Sequence, residues 1–197
     1  MKYNNYYDLI RNNGQWVNEK LGEDSHYFDN ISGAQQPPFF FIGCSDSRLP
    51  LNTFTKTEPG ELFIHRNIAN QCLDDDITFL STLEFALEVL KVKHVIVAGH
   101  YNCGGVAAAT THQGTPQVLE WVQPLRQLYL DNQAILDGFE SEQERHDKLT
   151  ELNVLQQLKN IQGTYIWKNA LKLADPPLLH GWILNIRNGK IIELKTT

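Results

Sequence analysis

Two short apolar segments constrain the fold of this chain more than any other feature. Residues 39–43 are Phe-Phe-Phe-Ile-Gly, and residues 94–99 are His-Val-Ile-Val-Ala-Gly. Short segments rich in Phe, Val and Ile are typical of buried parallel strands. Between them, apolar residues recur at helical spacing over residues 77–91. A strand, a helix and a second strand form a parallel crossover unit, so we predict an α/β fold with a mostly parallel central sheet flanked by helices.

Further elements are predicted on both sides of this unit. A second short strand is expected over residues 61–65, and the polar stretch 110–161 is expected to be mostly helical, with one helix opening at Ser141. A last helix is predicted from Tyr165 to Ala174, where Asp175-Pro176-Pro177 stops it. The chain is expected to close with a C-terminal hairpin around the turn Asn188-Gly189.

The N-terminal segment is predicted to be a helix from Tyr3 to about Leu21. It precedes the first strand and has no obvious later partner in the sequence. Two interpretations therefore stay open, a helix that packs on the core of its own chain and an arm that packs on another subunit. We expect a single domain over residues 1–197, with residues 1–34 as an N-terminal helical arm.

Composition excludes several classes of function. The chain has 197 residues with a net charge of -6, which argues against nucleic acid or an anionic membrane as the main partner. No apolar segment approaches the length of a membrane span, and the first five residues lack the features of a signal peptide. Three cysteines do not suggest a disulfide framework, so a cytoplasmic location is expected.

Metal-ligating side chains directly follow both predicted strands. Cys44 comes after the first strand, and His100 and Cys103 come after the second. Open α/β sheets bind ligands beyond the carboxyl ends of their strands, so these side chains are expected to meet. Two thiols and an imidazole select zinc, and three protein ligands leave the open position of a catalytic site. The alternative is a buried histidine with two small buried thiols that have structural roles only.

The loop after Cys44 carries Asp46 and Arg48. An exposed ion pair of this kind contributes well under about 1 kcal/mol to stability. Beside a zinc ion, the carboxylate could accept a hydrogen bond from bound water or become the fourth ligand. Gly104 and Gly105 either let the backbone approach the metal or relieve crowding at a helix start.

Three motifs agree in order and spacing with one enzyme family. They are Cys-Ser-Asp-Ser-Arg at 44–48, Pro-Gly-Glu-Leu-Phe-Ile-His-Arg-Asn-Ile-Ala-Asn at 59–70, and Leu-Lys-Val-Lys-His-Val-Ile-Val-Ala-Gly-His-Tyr-Asn-Cys-Gly-Gly-Val at 90–106. On these motifs the chain resembles a β-class carbonic anhydrase. The resemblance extends from about residue 35 to residue 109, and a weaker match follows at His180-Gly181-Trp182.

The resemblance implies a zinc-dependent reversible hydration of CO2 to bicarbonate and a proton, carried out by zinc-bound hydroxide. It implies that Cys44, His100 and Cys103 hold Zn2+, and that Asp46 and Arg48 form a dyad that gates the fourth zinc position. The residues expected to contact substrate are Gln35, Phe63, Phe85 and Gly104.

The resemblance also implies assembly. Gln35 matches a glutamine that often reaches substrate across a subunit boundary, so a homodimer or a higher even oligomer is expected. Some members have an inhibitory bicarbonate site that uses a tryptophan and a tyrosine as anchors. This chain has Phe41 and Leu184 in those places, so both anchors are missing and the site is not expected. Two other functions stay open, a non-catalytic zinc-stabilised binding protein and a relative that hydrolyses another small linear molecule such as carbon disulfide.

Overall fold

The computed structural model describes residues 5–194, and the chain divides into two units, Met1–Gln35 and Gln36–Thr197. The first unit contains helices α1 (Tyr6–Glu23) and α2 (Tyr27–Ile31). The side chain of Asn5 caps α1 by accepting a hydrogen bond from the backbone N–H of Tyr7 at 3.0 Å. The predicted N-terminal helix is therefore present, although its predicted start at Tyr3 lies outside the described residues. The single domain with an arm stays a prediction.

The second unit contains the central sheet and the remaining helices. Its strands are β1 (Phe39–Cys44), β2 (Leu62–Asn67), β3 (His94–His100), β4 (Leu178–Asn185) and β5 (Lys190–Leu194). Its helices are α3 (Leu51–Thr55), α4 (Ile77–Glu84), α5 (Gly104–Thr111), α6 (Pro116–Trp121), α7 (Gln123–Asp131), α8 (Gln133–Leu136), α9 (Glu142–Gly163) and α10 (Tyr165–Ala170). A 3-10 turn occupies Ile68–Asn70, and a π turn over Phe85–Val89 continues α4.

The five strands form one sheet in the order β2-β1-β3-β4-β5. The first four strands run parallel, and β5 pairs antiparallel with β4. The last two strands are thus the predicted C-terminal hairpin. This arrangement confirms the predicted α/β fold with a mostly parallel sheet. Among residues 5–194, we find no helix with both the length and the apolar character needed to cross a membrane.

Helices cover both faces of the sheet. One face buries Phe40 and Val97 against α4, α9 and α10, and the other buries Phe41 and Ile96 against α5 and α7. Burial of an apolar side chain of this size stabilises the fold by about 1.5–3 kcal/mol. Because both faces are covered, the central strands β1 and β3 are mostly apolar instead of alternating with polar residues.

A close approach to the sheet fixes the position of α9. A Cβ atom on Gly99 would lie 2.7 Å from Cγ2 of Val154, so only glycine allows this helix to sit so near β3. The helix begins where the sequence predicts, because the hydroxyl of Ser141 accepts from the backbone N–H of Glu144 and the Glu144 carboxylate accepts from that of Ser141.

Helix α10 is shorter than predicted, since it ends at Ala170 instead of Ala174. Beyond that residue the chain continues in tighter turns, such as the one closed by Lys172 N–H donating to the Asn169 carbonyl at 3.0 Å. Leu171 and Leu173 are half exposed and add no core contact that would extend the helix. The prolines after Asp175 also disfavour helical backbone before them.

Candidate metal centre

Three donor side chains meet at the carboxyl rim of the sheet. Cys44 is the last residue of β1, His100 is the last residue of β3, and Cys103 is the residue before α5. Because β1 and β3 are parallel neighbours, both strands deliver their last side chains to the same rim. One ligand atom from each residue lies within 4.8 Å of the other two, and no other such group of three occurs among the described residues.

The imidazole of His100 presents one free nitrogen to the two sulfurs. Its Nδ1 lies 3.0 Å from the backbone oxygen of Tyr101, which can only accept, so Nδ1 carries the hydrogen and Nε2 has a lone pair. Nε2 is buried without a hydrogen-bond partner in the part of the chain that the structure describes. Such an atom costs about 1–3 kcal/mol when it is left unpaired, and a metal ion would supply the missing partner.

The two thiols form a coupled pair, with their sulfurs 3.9 Å apart. The hydrogen bond from Cys103 lowers the pKa of Cys44, and the backbone N–H of Ala69 also donates to the Cys44 sulfur. The pKa of Cys103 is raised, because its thiol is hydrogen-bonded to Cys44 and is buried. Cys44 therefore loses its thiol proton easily, whereas Cys103 does not lose its own while Cys44 is a thiolate. A bound divalent cation would allow both thiols to ionise, because its charge stabilises the two thiolates at once.

This donor set fits zinc. Two thiolates and a neutral imidazole are ligands that zinc prefers, and the three of them leave one coordination position open. All three side chains are buried, with Cys44 6% exposed, Cys103 5% and His100 0%. The pocket therefore suits a resident ion more than a loosely held surface ion.

Asp46 and Arg48 lie beside the three donors, as the resemblance implies. Oδ1 of Asp46 accepts from the backbone N–H and from Nε of Arg48, both at 2.9 Å, and Oδ2 accepts from Nη2 at 2.7 Å. These hydrogen bonds hold the pKa of Asp46 well below its usual range. Arg48 also donates to the backbone oxygen of Asn102 at 3.0 Å. Oδ2 of Asp46 lies 3.8 Å from Nε2 of His100, so an ionised carboxylate faces the metal position.

Arg66 orders this loop, and sequence reasoning missed it. Its guanidinium donates to the backbone oxygens of Cys44 at 2.8 Å, Asp46 at 2.8 Å and Leu49 at 3.2 Å. Arg66 lies on β2 directly opposite Gly43 of β1, one residue before the cysteine. The sequence signal that could have identified Arg66 is a charged residue directly after the predicted strand at residues 61–65.

A turn between β2 and α4 supports the site from the other side. Ala69, the residue that donates to the Cys44 sulfur, has a left-handed backbone with φ of 62°. The start of α5 packs tightly on this turn, since a Cβ atom on Gly105 would lie 2.9 Å from Cβ of Ala69. Glycine is therefore required at 105 for close packing, whereas a Cβ on Gly104 would meet nothing within 4 Å.

Amide side chains of α9 hold this turn in place. Nδ2 of Asn153 donates to the backbone oxygen of Ala69 at 2.9 Å, and Oδ1 of Asn153 accepts from Nε2 of Gln157 at 2.8 Å. Oε1 of Gln157 in turn accepts from the backbone N–H of Cys72 at 2.8 Å. Both amides are buried, so they connect the helix to the backbone beside a metal ligand.

The predicted substrate residues are only partly brought to this centre within one chain. Phe63 and Phe85 contact each other, with ring centroids 5.8 Å apart. Phe63 is four residues before the β2 residue that pairs with Cys44, which places it roughly 13 Å along the strand from the metal ligands. Gly104 directly follows Cys103, and Gln35 is exposed at the end of the first unit. Contact of these four residues with substrate stays a prediction.

Comparisons with known proteins agree with the motifs. Residues 39–191 match the family model described as carbonic anhydrase. A carbonic anhydrase of Emericella nidulans is 37% identical over 186 residues, which are 94% of this chain and 82% of the relative. A tetrameric β-carbonic anhydrase from Sordaria macrospora superposes with a TM-score of 0.92 at 33% identity, covering 97% of both chains.

A second solved structure gives the same result. The β-carbonic anhydrase of Coccomyxa in complex with acetazolamide has a TM-score of 0.91 and 32% identity, covering 98% of this chain and 87% of that one. The fold, the spacing of the three donors and the extent of these matches agree with one another. This chain therefore belongs to the carbonic anhydrase family, and within it to the β class.

Proposed function

We propose that this protein catalyses the reversible hydration of CO2 to bicarbonate and a proton, with zinc held by Cys44, His100 and Cys103. The observation that carries the proposal is the buried Nε2 of His100, which has no hydrogen-bond partner among residues 5–194 and faces two coupled thiols beside an ionised Asp46. When bound, zinc lowers the pKa of a coordinated water and so supplies a nucleophile near neutral pH.

The protein groups would hold and orient the reactants. The carbonyl of Tyr101 fixes the tautomer and the ring orientation of His100. Asp46 stays ionised at the rim of the metal position and can accept a hydrogen bond from a hydroxyl group bound there. Arg48 holds this carboxylate in a charge-assisted, two-point contact, which is stronger than a neutral hydrogen bond.

The same contact explains the proposed gate. A carboxylate this close to the donors could itself take the open coordination position and so exclude a reactant. Arg48 competes for the carboxylate and keeps it away from that position. We therefore assign Arg48 the role of keeping the site open.

The test compares Arg48→Ala with Arg11→Ala, since Arg11 also pairs with an aspartate, Asp8, at 2.6 Å. We expect Arg48→Ala to keep one zinc per chain and to lose at least tenfold in kcat for CO2 hydration, which is about 1.4 kcal/mol. Arg11→Ala should retain the wild-type rate. Near-normal turnover of zinc-loaded Arg48→Ala would contradict the gate, and absence of CO2 hydration in the zinc-loaded wild-type protein would contradict the proposed function itself.

One specific observation keeps a different substrate in view. Phe63 lies roughly 13 Å along its strand from the donors within one chain, and Phe85 contacts Phe63, so the shape of the substrate pocket is not fixed by the metal centre alone. Carbon disulfide is a small linear molecule of the same type as CO2. Parallel assays with both substrates would decide, and faster hydrolysis of carbon disulfide than hydration of CO2 would overturn the assignment.

We propose a homodimer or a higher even oligomer, as expected for Gln35. Among the described residues β2 pairs with β1 alone, so its other edge is open to a second chain. Apolar side chains on and near this edge are exposed, namely Ile64, Ile68, Ile77, Phe85 and Val89. A second subunit at this edge would cover them and bring Phe63 and Phe85 towards another metal centre. The structural relative from Sordaria macrospora is described as tetrameric.

Sedimentation velocity at assay concentration tests the assembly. We expect a single even-numbered species that carries the activity. A monomer with full activity would contradict both the assembly and the role of Gln35 across a boundary.

We also propose a cytoplasmic location. All three cysteines are free thiols, and two of them serve as metal ligands in the proposed site. A reducing compartment preserves such thiolates. Cell fractionation would test this, and recovery of the protein in an oxidising compartment would contradict it.

A further inference from the structure

A pair of histidines lies on one face of the sheet, far from the three donors. His94 is the first residue of β3 and His100 the last, so the pair is roughly 20 Å along the strand from the metal centre. We propose that His94 and His180 form a second metal site, which binds a borderline divalent cation such as Cu2+ or Ni2+.

The sheet register creates the pair. Ile96 of β3 lies opposite His180 of β4, so His94, two residues earlier, is the diagonal neighbour of His180 on the same face. Both rings border a recess of about 320 Å³ that opens to the surface. The recess is large enough for an ion with its bound water molecules, and the half-buried histidines are accessible from it.

The distance between the two rings fits one metal ion. Nδ1 of His94 and Nε2 of His180 are 3.0 Å apart. With metal–nitrogen bonds of roughly 2.05 Å, this separation corresponds to an angle of about 95° at the ion. The two nitrogens are therefore close enough for one ion to bind both, and the rotation of the rings on binding sets the final angle. Imidazole nitrogen also suits Cu2+ and Ni2+, and Cu2+ binds most tightly in the first-row series.

Neighbouring side chains contact both imidazole rings and favour a tautomer that can bind a metal ion. Oε1 of Glu193 lies 3.7 Å from Nδ1 of His180, so the carboxylate favours the tautomer with hydrogen on Nδ1 and leaves the Nε2 lone pair free. Phe39 stacks on His94 with ring centroids 5.4 Å apart, so an aromatic ring covers one face of that imidazole. Water molecules in the recess would complete the coordination.

Without a metal, a hydrogen bond joins the two rings, because one ring must donate and the other accept. Binding an ion replaces this single bond by two coordinate bonds. His94 then carries its hydrogen on Nε2, so a neutral pair gains the ion without losing a proton. Both rings rotate slightly, so that the lone pair on Nδ1 of His94 and the lone pair on Nε2 of His180 point to the same ion.

The experiment titrates zinc-loaded protein with one equivalent of Cu2+ and records its electron paramagnetic resonance spectrum. We expect a tetragonal signal with coupling to two imidazole nitrogens, and no loss of zinc by metal analysis. His94→Gln and His180→Gln should each weaken Cu2+ binding at least tenfold in calorimetry. The matched control is His146→Gln, because His146 also faces a carboxylate, that of Glu142 at 3.8 Å, without a second imidazole.

Three results would overturn the proposal. Copper uptake matched by zinc loss would place copper at the thiolates. Equal affinity of wild-type protein and both variants would remove the pair from the site. A spectrum of the wild-type protein with one imidazole or none would do the same without relying on any variant, so poor folding of a variant leaves the proposal testable.

Discussion

Replacement of Asn153 by alanine tests how the fold supports the metal centre. The side chain bridges α9 and the turn at Ala69, whose backbone N–H donates to the sulfur of Cys44. Asn153 is 1% exposed, so water cannot easily replace the lost amide. The substitution removes one hydrogen bond to the Ala69 oxygen and one from Nε2 of Gln157.

The expected destabilisation follows from these two bonds. Each buried partner left without a hydrogen bond costs about 1–3 kcal/mol, so Asn153→Ala should lower the free energy of unfolding by about 2–6 kcal/mol. This is a large share of a total that is about 5–15 kcal/mol in most proteins. The loosened turn should also weaken zinc binding at least tenfold, in the range typical for residues that orient metal ligands.

Urea unfolding of the zinc-loaded protein measures the first effect, and competition with a coloured chelator measures the second. The control is Asn169→Ala, an exposed helical asparagine, which should change the stability by about 0.5 kcal/mol or less. A loss below about 1 kcal/mol in Asn153→Ala would show that the two amide bonds do not support the turn. Unchanged zinc affinity in a clearly destabilised variant would show that the turn does not orient Cys44.

Two further substitutions test the packing and the loop. Gly99→Ala should destabilise the protein by about 1–3 kcal/mol in thermal unfolding, because its new Cβ would lie 2.7 Å from Val154, whereas Gly14→Ala in α1 meets nothing within 4 Å and should be neutral or stabilising. A melting temperature of Gly99→Ala equal to that of the wild-type protein would refute the close approach of α9 to β3. Arg66→Ala removes the donors that hold the backbone of Cys44 and Asp46, so it should lower kcat at least tenfold while the zinc content is retained. A wild-type kcat would limit Arg66 to a structural role.

The metal centre could be predicted from the sequence because strand ends are easy to locate. Cys44 and His100 each end a short apolar strand, and parallel neighbours must place those ends together. Cys103 follows within one turn of His100, so its position required no knowledge of distant parts of the chain.

The supporting residues could not be predicted, because their partners are distant in sequence. Asn153 contacts a backbone oxygen 84 residues away, and its helix shows only a polar pattern with an apolar stripe. For Arg66, the predicted strand ended one residue before it, at residue 65, and the reach of the side chain to three carbonyl oxygens depends on the detailed path of the loop. The predicted end of α10 at Ala174 was wrong for a related reason. The local sequence does not show that Leu171 and Leu173 have no core to pack against.

Stopped-flow CO2 hydration on metal-analysed protein tests the central claim most directly, with wild-type protein and Cys103→Ala measured side by side. The account predicts one zinc per chain and rapid hydration in the wild-type protein, and joint loss of zinc and activity in Cys103→Ala. A Cys103→Ala protein that kept full zinc and the full rate would contradict the assigned site. A wild-type protein with one zinc per chain that did not accelerate CO2 hydration would contradict the proposed function.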